Sequence, residues 1–418
     1  MGNNPPVPRF AEAAIQAALS DTPVTCLIGP RQVGKSTLAA AIGGQRRARL
    51  FSLDDATTLS AITADPTGFI VGIDGPMVLD EVQLAPALFP AIKLAVDRAR
   101  QPGRFLLTGS ANVLTLPRIS ESLAGRMEVV TLWPFSQGEL EAARERFVDG
   151  VFAARLPPAA PSALTRTELV RRILMGGYPE IQSRRDAERR AAWFRSYLTT
   201  VLQRDIRELS DIEGLTALPR LLGYLAARAG SVVNIADIGR VAGIAHTTLT
   251  RYLAMLEQVF LVWRVPAWSG DRGRRLLKSP RLALTDVGLL AHLAGITEVR
   301  LSAEPTLFGP LLENFVTMEL IKQSAWAKSQ VSLSHYRTYG GREVDLVLER
   351  ADGRLVGIEV KAAATVTADD FKGLIAFREV AGSRFVRGIV LYTGRTAVPF
   401  GADLVALPID ALWQLGHG

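Results

Sequence analysis

Gly29-Pro30-Arg31-Gln32-Val33-Gly34-Lys35-Ser36, followed by Thr37, satisfies the spacing G-x-x-x-x-G-K-[ST]. Glycine at both ends lets the backbone turn tightly enough for successive N–H groups to approach a phosphate chain. Lys35 supplies a cation for the β and γ oxygens, and the Ser36 hydroxyl is a ligand for Mg²⁺. The apolar run at 24–28 reads as a strand leading into this loop, and 35–42 reads as a helix whose positive dipole end faces the anion. The stretch 29–37 therefore predicts a site for ATP with Mg²⁺.

Outward from the loop, residues 24–140 alternate apolar runs with amphipathic segments, the pattern of an α/β domain. Strands are expected at 24–28, 50–53, 77–79, 104–107 and 127–132, with helices between them, 87–100 included. The run 77–79 ends in Asp80-Glu81. In P-loop enzymes the first acid of such a pair orders Mg²⁺, and an acid directly after it can polarise the attacking water. Asp80 is accordingly the expected metal-side residue and Glu81 the catalytic one.

The chain has 418 residues, 48% of them hydrophobic and 21% charged, enough for several domains each with a core. Its 48 Lys and Arg against 41 Asp and Glu give a net charge of +7, which suits a polyanionic partner. The lone Cys26 excludes an internal disulfide framework and a cysteine zinc site, and reads as a small core residue on a strand. The start, Met1-Gly2-Asn3-Asn4-Pro5-Pro6, has no signal-peptide pattern, and no apolar run nears the roughly 20 residues of a membrane span. A cytoplasmic protein with no membrane contact is the expectation.

A Pro- and Ala-rich stretch at 156–161 reads as a linker after a P-loop domain at 1–150. Residues 165–215 read as a helical lid or connector, and 181–210 within it hold seven Arg against four acids. Residues 216–298 read as a winged helix: 235–242 as a first helix, 243–245 as its turn, 246–258 as the second. Strands at 259–265 and 281–284 would form the wing. The second helix of such a motif offers its N-terminal side chains to the major groove, here His246, Thr247, Thr248, Thr250 and Arg251. Arg272, Arg274, Arg275 and Lys278 in the basic wing would grip phosphates. Packing between subunits is the competing use of the same unit.

Residues 305–418 return to α/β, with strands expected near 336–339, 344–349, 355–360, 387–392 and 403–407. Asp345 lies in one of them, and Glu359-Val360-Lys361 in the next. Alternation places Glu359 and Lys361 on one face. Two carboxylates and a lysine converging there make a site for a second divalent ion that activates water against a phosphodiester, Lys361 stabilising charge. The pattern resembles the PD-(D/E)xK nuclease core, with valine before the first Asp and no proline. Retention of that fold for binding alone is the alternative. His292 and His335 fit no ligand spacing.

Taken together, 29–37, 77–83, 107–110, 122–136, Gly176-Gly177-Tyr178-Pro179-Glu180, 203–209, 278–288, 311–320 and 336–361 resemble a bacterial family of AAA-type ATPases. Its C-terminal domain, of unknown function, contains a winged helix and a restriction-endonuclease-like core. The resemblance spans nearly the whole chain, with Gly-Gly-Tyr-Pro-Glu and Leu312-Glu313-Asn314-Phe315-Val316 its most specific parts. It implies a multidomain α/β protein: an AAA-like P-loop core, a helical region, a winged helix and a restriction-endonuclease-like α/β domain. It implies a sensor residue at Thr108, with Ser110 as second choice, and an arginine finger at Arg126, with Arg118 as the alternative. Glu313 matches an additional metal-side acid. A finger that serves a neighbour's nucleotide implies a homo-oligomeric ring, with a hexamer among the options. The expected function is an ATP-driven machine acting on DNA. The alternatives are a nucleotide-controlled switch or a protein-remodelling ATPase with an inactive nuclease-like domain.

Overall fold

The computed structural model describes residues 7–110, 123–206, 217–230, 235–271, 279–338 and 340–416. Five parallel strands form the first sheet, in the order β2-β3-β4-β1-β5: β1 Val24–Ile28, β2 Arg49–Ser52, β3 Met77–Asp80, β4 Phe105–Gly109 and β5 Met127–Thr131. β1, β3 and β4 are buried along their whole length, as parallel strands covered on both faces require. Alternation sorts the two faces. Leu27, Val78, Leu106 and Val130 pack with Ile15, Leu19, Leu38 and Ile42 of the helices Ala11–Asp21 and Lys35–Gln45. Cys26, Ile28, Leu79, Phe105 and Leu107 pack with Phe89 and Ile92 of the helix Leu88–Arg98. Cys26 is thus the core residue expected, its thiol pushed up to about 12 by burial.

Parallel pairing fixes where the loops go. Ile28 lies opposite Gly109, Leu79 opposite Leu107 and Ser52 opposite Asp80. The segments leaving β1, β3 and β4 therefore meet along one sheet edge, the edge at which open α/β sheets bind ligands.

Beyond this sheet, the helices Ile235–Ala242 and His246–Gln258 have the predicted bounds, joined through Gly243 at φ 67°. They precede an antiparallel hairpin, β6 Val262–Val265 with β7 Arg281–Leu284, in which Val262 faces Leu284. β6 begins later than the 259 expected, because Phe260 adopts φ 57° and Leu261 N–H returns to Leu256 O at 2.9 Å, closing the helix first.

The last sheet is mixed, in the order β12-β13-β11-β10-β9-β8. Its strands are β8 Val331–Arg337, β9 Glu343–Arg350, β10 Leu355–Lys361, β11 Phe385–Tyr392, β12 Val398–Pro399 and β13 Leu404–Pro408. The helix Phe308–Ser324 precedes it, buried over most of its length, its polar side chains tied into other parts of the chain. Asn314 bonds both N–H and C=O of Leu284 at 2.9 Å. Glu319 accepts from Gln137 N–H at 2.8 Å, and Lys322 donates to Phe135 O at 2.9 Å. One apolar cluster correspondingly runs from Ala11 to Leu415, across the domain boundaries expected at 150 and 305. Among the described residues no helix is long and apolar enough to cross a membrane.

Candidate functional site

The loop between β1 and the helix Lys35–Gln45 has the backbone its glycines allow. Gly29 sits at φ 147°, and a Cβ there would lie 2.1 Å from Leu132 O, so no other residue fits without moving β5's exit. Gly34 caps the helix at φ 92°, a left-handed turn that aims the first N–H groups back into the loop. The cradle is thus preformed, and it fits a phosphate chain.

Lys35 is buried inside it, its Nζ donating to Gly29 O at 3.0 Å and Pro30 O at 2.7 Å. Burial pulls its pKa down to about 8, with Glu81 opposing the shift and Arg31 adding to it. The exposed Ser36 hydroxyl donates to Asp80 Oδ1 at 2.9 Å. That hydroxyl–carboxylate pair is a hard-oxygen donor set, suited to Mg²⁺ beside phosphates.

Thr108 ties the two neighbouring strands together. Its hydroxyl donates to the same Asp80 oxygen and accepts from Glu81 N–H at 3.2 Å. Glu81 stands at φ 58°, an outlier for a non-glycine residue of the kind that collects at functional sites. Gln83, two residues on, donates to the Glu81 carboxylate and to Ser110 Oγ at 3.1 Å. Sequence reasoning missed Gln83, because no motif spacing marks it. Arg31 pairs with the buried Asp205, its Nε 2.6 Å from both carboxylate oxygens. Asp205 ends the π-helical turn Val201–Asp205; it lies in the 203–209 stretch of the resemblance, but no spacing marks it as a partner of the loop.

The AAA domain family matches residues 21–141, and two families of domains of unknown function, DUF8612 and DUF4143, match 166–300 and 308–412. The uncharacterized proteins Rv2008c of Mycobacterium tuberculosis and Mb2031c of Mycobacterium bovis are each 32% identical over 413 residues, covering 98% of this chain and 85% of theirs. The chain belongs to this AAA-type ATPase family. Among solved structures, the Walker-type ATPase PABY2304 of Pyrococcus abyssi is similar at 15% identity and TM-score 0.44, over 70% of this chain and 99% of that one. The RuvB Holliday junction branch migration motor of Thermotoga maritima is similar at 17% identity and TM-score 0.29, over 61% and 87%.

In this AAA protein Arg126 lies at the opposite sheet edge from the cradle, just before β5, where Met127 faces Val24. It pairs with Asp97 at 2.5 Å. Arg118 lies outside the described residues. On the second helix of the 235–258 pair, His246, Thr247, Thr250 and Arg251 are exposed and Thr248 is half-buried. Arg272, Arg274, Arg275 and Lys278 lie outside the described residues, so the basic wing has no structural account.

The C-terminal residues do come together. Asp345 Oδ2 accepts from Val360 N–H at 2.9 Å, and Lys361 Nζ donates to Glu359 Oε1 at 3.0 Å. Burial, then Asp345, pushes Glu359 up to about 7. Burial and Asp345 likewise push Glu313 up to about 8, against the pull of Arg281. Arg281, absent from the sequence expectations, reaches into this group. Its Nη1 lies 2.6 Å from Glu313 Oε1 and 3.2 Å from Asp345 Oδ1, and its Nη2 3.1 Å from Glu343 Oε2. Among the described residues no group of His, Cys, Asp and Glu is arranged to hold a metal ion, so the second divalent ion expected from sequence finds no support.

Proposed function

We propose that the AAA domain binds ATP in the 29–37 cradle and hydrolyses it with Glu81, and that the turnover drives action on DNA. The observation that carries the first part is the linked set Ser36, Asp80, Thr108, Glu81 and Gln83, all on one sheet edge beside Lys35. Ser36 and Asp80 would hold Mg²⁺, which supplies positive charge to the phosphates. Lys35, now bonded to two loop carbonyls, exchanges them for phosphate oxygens. Glu81 orients a water and takes its proton, while Gln83 fixes the carboxylate and Thr108 fixes the peptide that carries it.

Arg126 sits too far along the sheet to serve its own nucleotide, which favours a homo-oligomer in which it serves the neighbour's, once freed from Asp97. The DNA part rests on the exposed His246, Thr247, Thr250 and Arg251 at the start of a second helix and on the chain's +7 charge.

The test is steady-state ATP turnover of the whole chain, with and without single- and double-stranded DNA, beside Glu81→Gln. The variant should bind ATP as tightly as the wild type and turn over on the order of 10² to 10⁴ times more slowly. DNA should raise wild-type turnover, with a stimulation that fades steeply with salt. Turnover indifferent to every nucleic acid would remove the DNA part and favour a protein-directed ATPase; ATP bound but hardly hydrolysed by the wild type would favour a switch.

A further inference from the structure

The C-terminal carboxylates form a charged group that the ATP site leaves unused. A catalytic divalent cation there would need oxygens of Asp345 and Glu359 turned to one point, with a third acid or water completing about six ligands. The structure turns them elsewhere. Arg281 is 6% exposed, and its guanidinium serves Glu313, Asp345 and Glu343 at 2.6, 3.2 and 3.1 Å. The second Asp345 oxygen is held by Val360 N–H, and Glu359 is engaged by Lys361. The planar fork of an arginine suits this task, since it can meet several carboxylates at once and stays charged when buried. A buried charge must be paired, and here each partner answers the other's requirement. The residues therefore do not fit a bound metal in this arrangement.

We propose that Arg281 is the built-in cation of this cluster: residues 308–412 use it as a receptor for the guanidinium delivered by the β6–β7 hairpin, and not as a metal-dependent nuclease centre. The contact then joins the hairpin to the last sheet by charge, beside the Asn314 bonds to β7. It has no dependence on the ATPase reading, because none of its residues belongs to the nucleotide edge.

Mn²⁺ binding to the nucleotide-free whole chain, read by electron paramagnetic resonance of the free ion, tests it. Wild type and Asp345→Asn should bind Mn²⁺ equally. Arg281→Ala should gain about one site, at least ten-fold tighter than anything in the wild type, and lose it again in Arg281→Ala/Asp345→Asn. A folded Arg281→Ala that binds no more Mn²⁺ than wild type overturns the proposal. Should Arg281→Ala fail to fold, the comparison of wild type with Asp345→Asn still decides. The proposal then expects equal Mn²⁺ binding and a lower Tm for Asp345→Asn. It is overturned by wild-type Mn²⁺ binding, or by metal-dependent nicking of supercoiled DNA, that Asp345→Asn abolishes.

Discussion

Lys35 carries its charge at a disadvantage until a phosphate arrives. Burial has lowered its pKa to about 8, so the ammonium persists below that pH and is lost as pH rises through it. The consequence is an affinity that titrates. ATP binding to the nucleotide-free chain should weaken between pH 7 and pH 9, and Lys35→Arg, whose guanidinium stays charged throughout, should bind with little change over that window. Calorimetric titration at three pH values checks this; a wild-type affinity flat across the range would show that Lys35 does not supply the charge. At this scale the sequence was most informative where spacing itself encodes chemistry. Gly29, Lys35, Ser36 and Asp80 could be named because a phosphate cradle tolerates few alternatives. Gln83, Asp205 and Arg281 could not, because their partners lie 2, 174 and 32 to 64 residues away in no recurring pattern.

Elements were legible in proportion to how regular their apolar spacing is. The helices Ile235–Ala242 and His246–Gln258 match their expected bounds, since one apolar stripe in the sequence runs through both. Apolar spacing points to a strand near 336–339, but β8 occupies Val331–Arg337, because Ser332, Ser334 and His335 hide a strand whose polar side chains find partners in the fold. Pro305–Leu307, at the boundary expected before the last domain, form a 3₁₀ turn, and the helix starts at Phe308 with Pro310 in its first turn, where a missing N–H costs nothing. The π-helical turn Val201–Asp205 left no periodic signal, yet it reaches the P-loop through Arg31. Asp205→Asn weakens that tether. It should raise the KM for ATP several-fold while leaving kcat within about two-fold, and should lower stability by about 1–2 kcal/mol, less than a fully buried pair because Arg31 keeps some solvent contact. Steady-state kinetics with a thermal melt read both. An unchanged KM would mean that the contact serves only the packing of the connector.

For the whole molecule, the position of Arg126 separates a monomeric ATPase from an assembled one. Arg126→Ala alone should lower turnover by about 10³-fold or more if the side chain serves a neighbour's nucleotide. Mixing Arg126→Ala with Glu81→Gln chains should then restore activity, since a subunit with an intact acid can sit against one with an intact arginine. Mixtures no more active than the two variants apart would remove the shared site. The sheet order that creates this geometry was legible only as a class, α/β, because pairing between β1 and β5 joins residues about a hundred positions apart.

The helix Phe308–Ser324 has a practical consequence for anyone dividing the chain. Trimming at residue 307 to isolate the AAA domain would strip Glu319 from Gln137, Lys322 from Phe135 and Asn314 from Leu284 at a stroke. Neither fragment could hide the apolar surface this rod now separates from water, so both should aggregate on expression alone and recover only when co-produced.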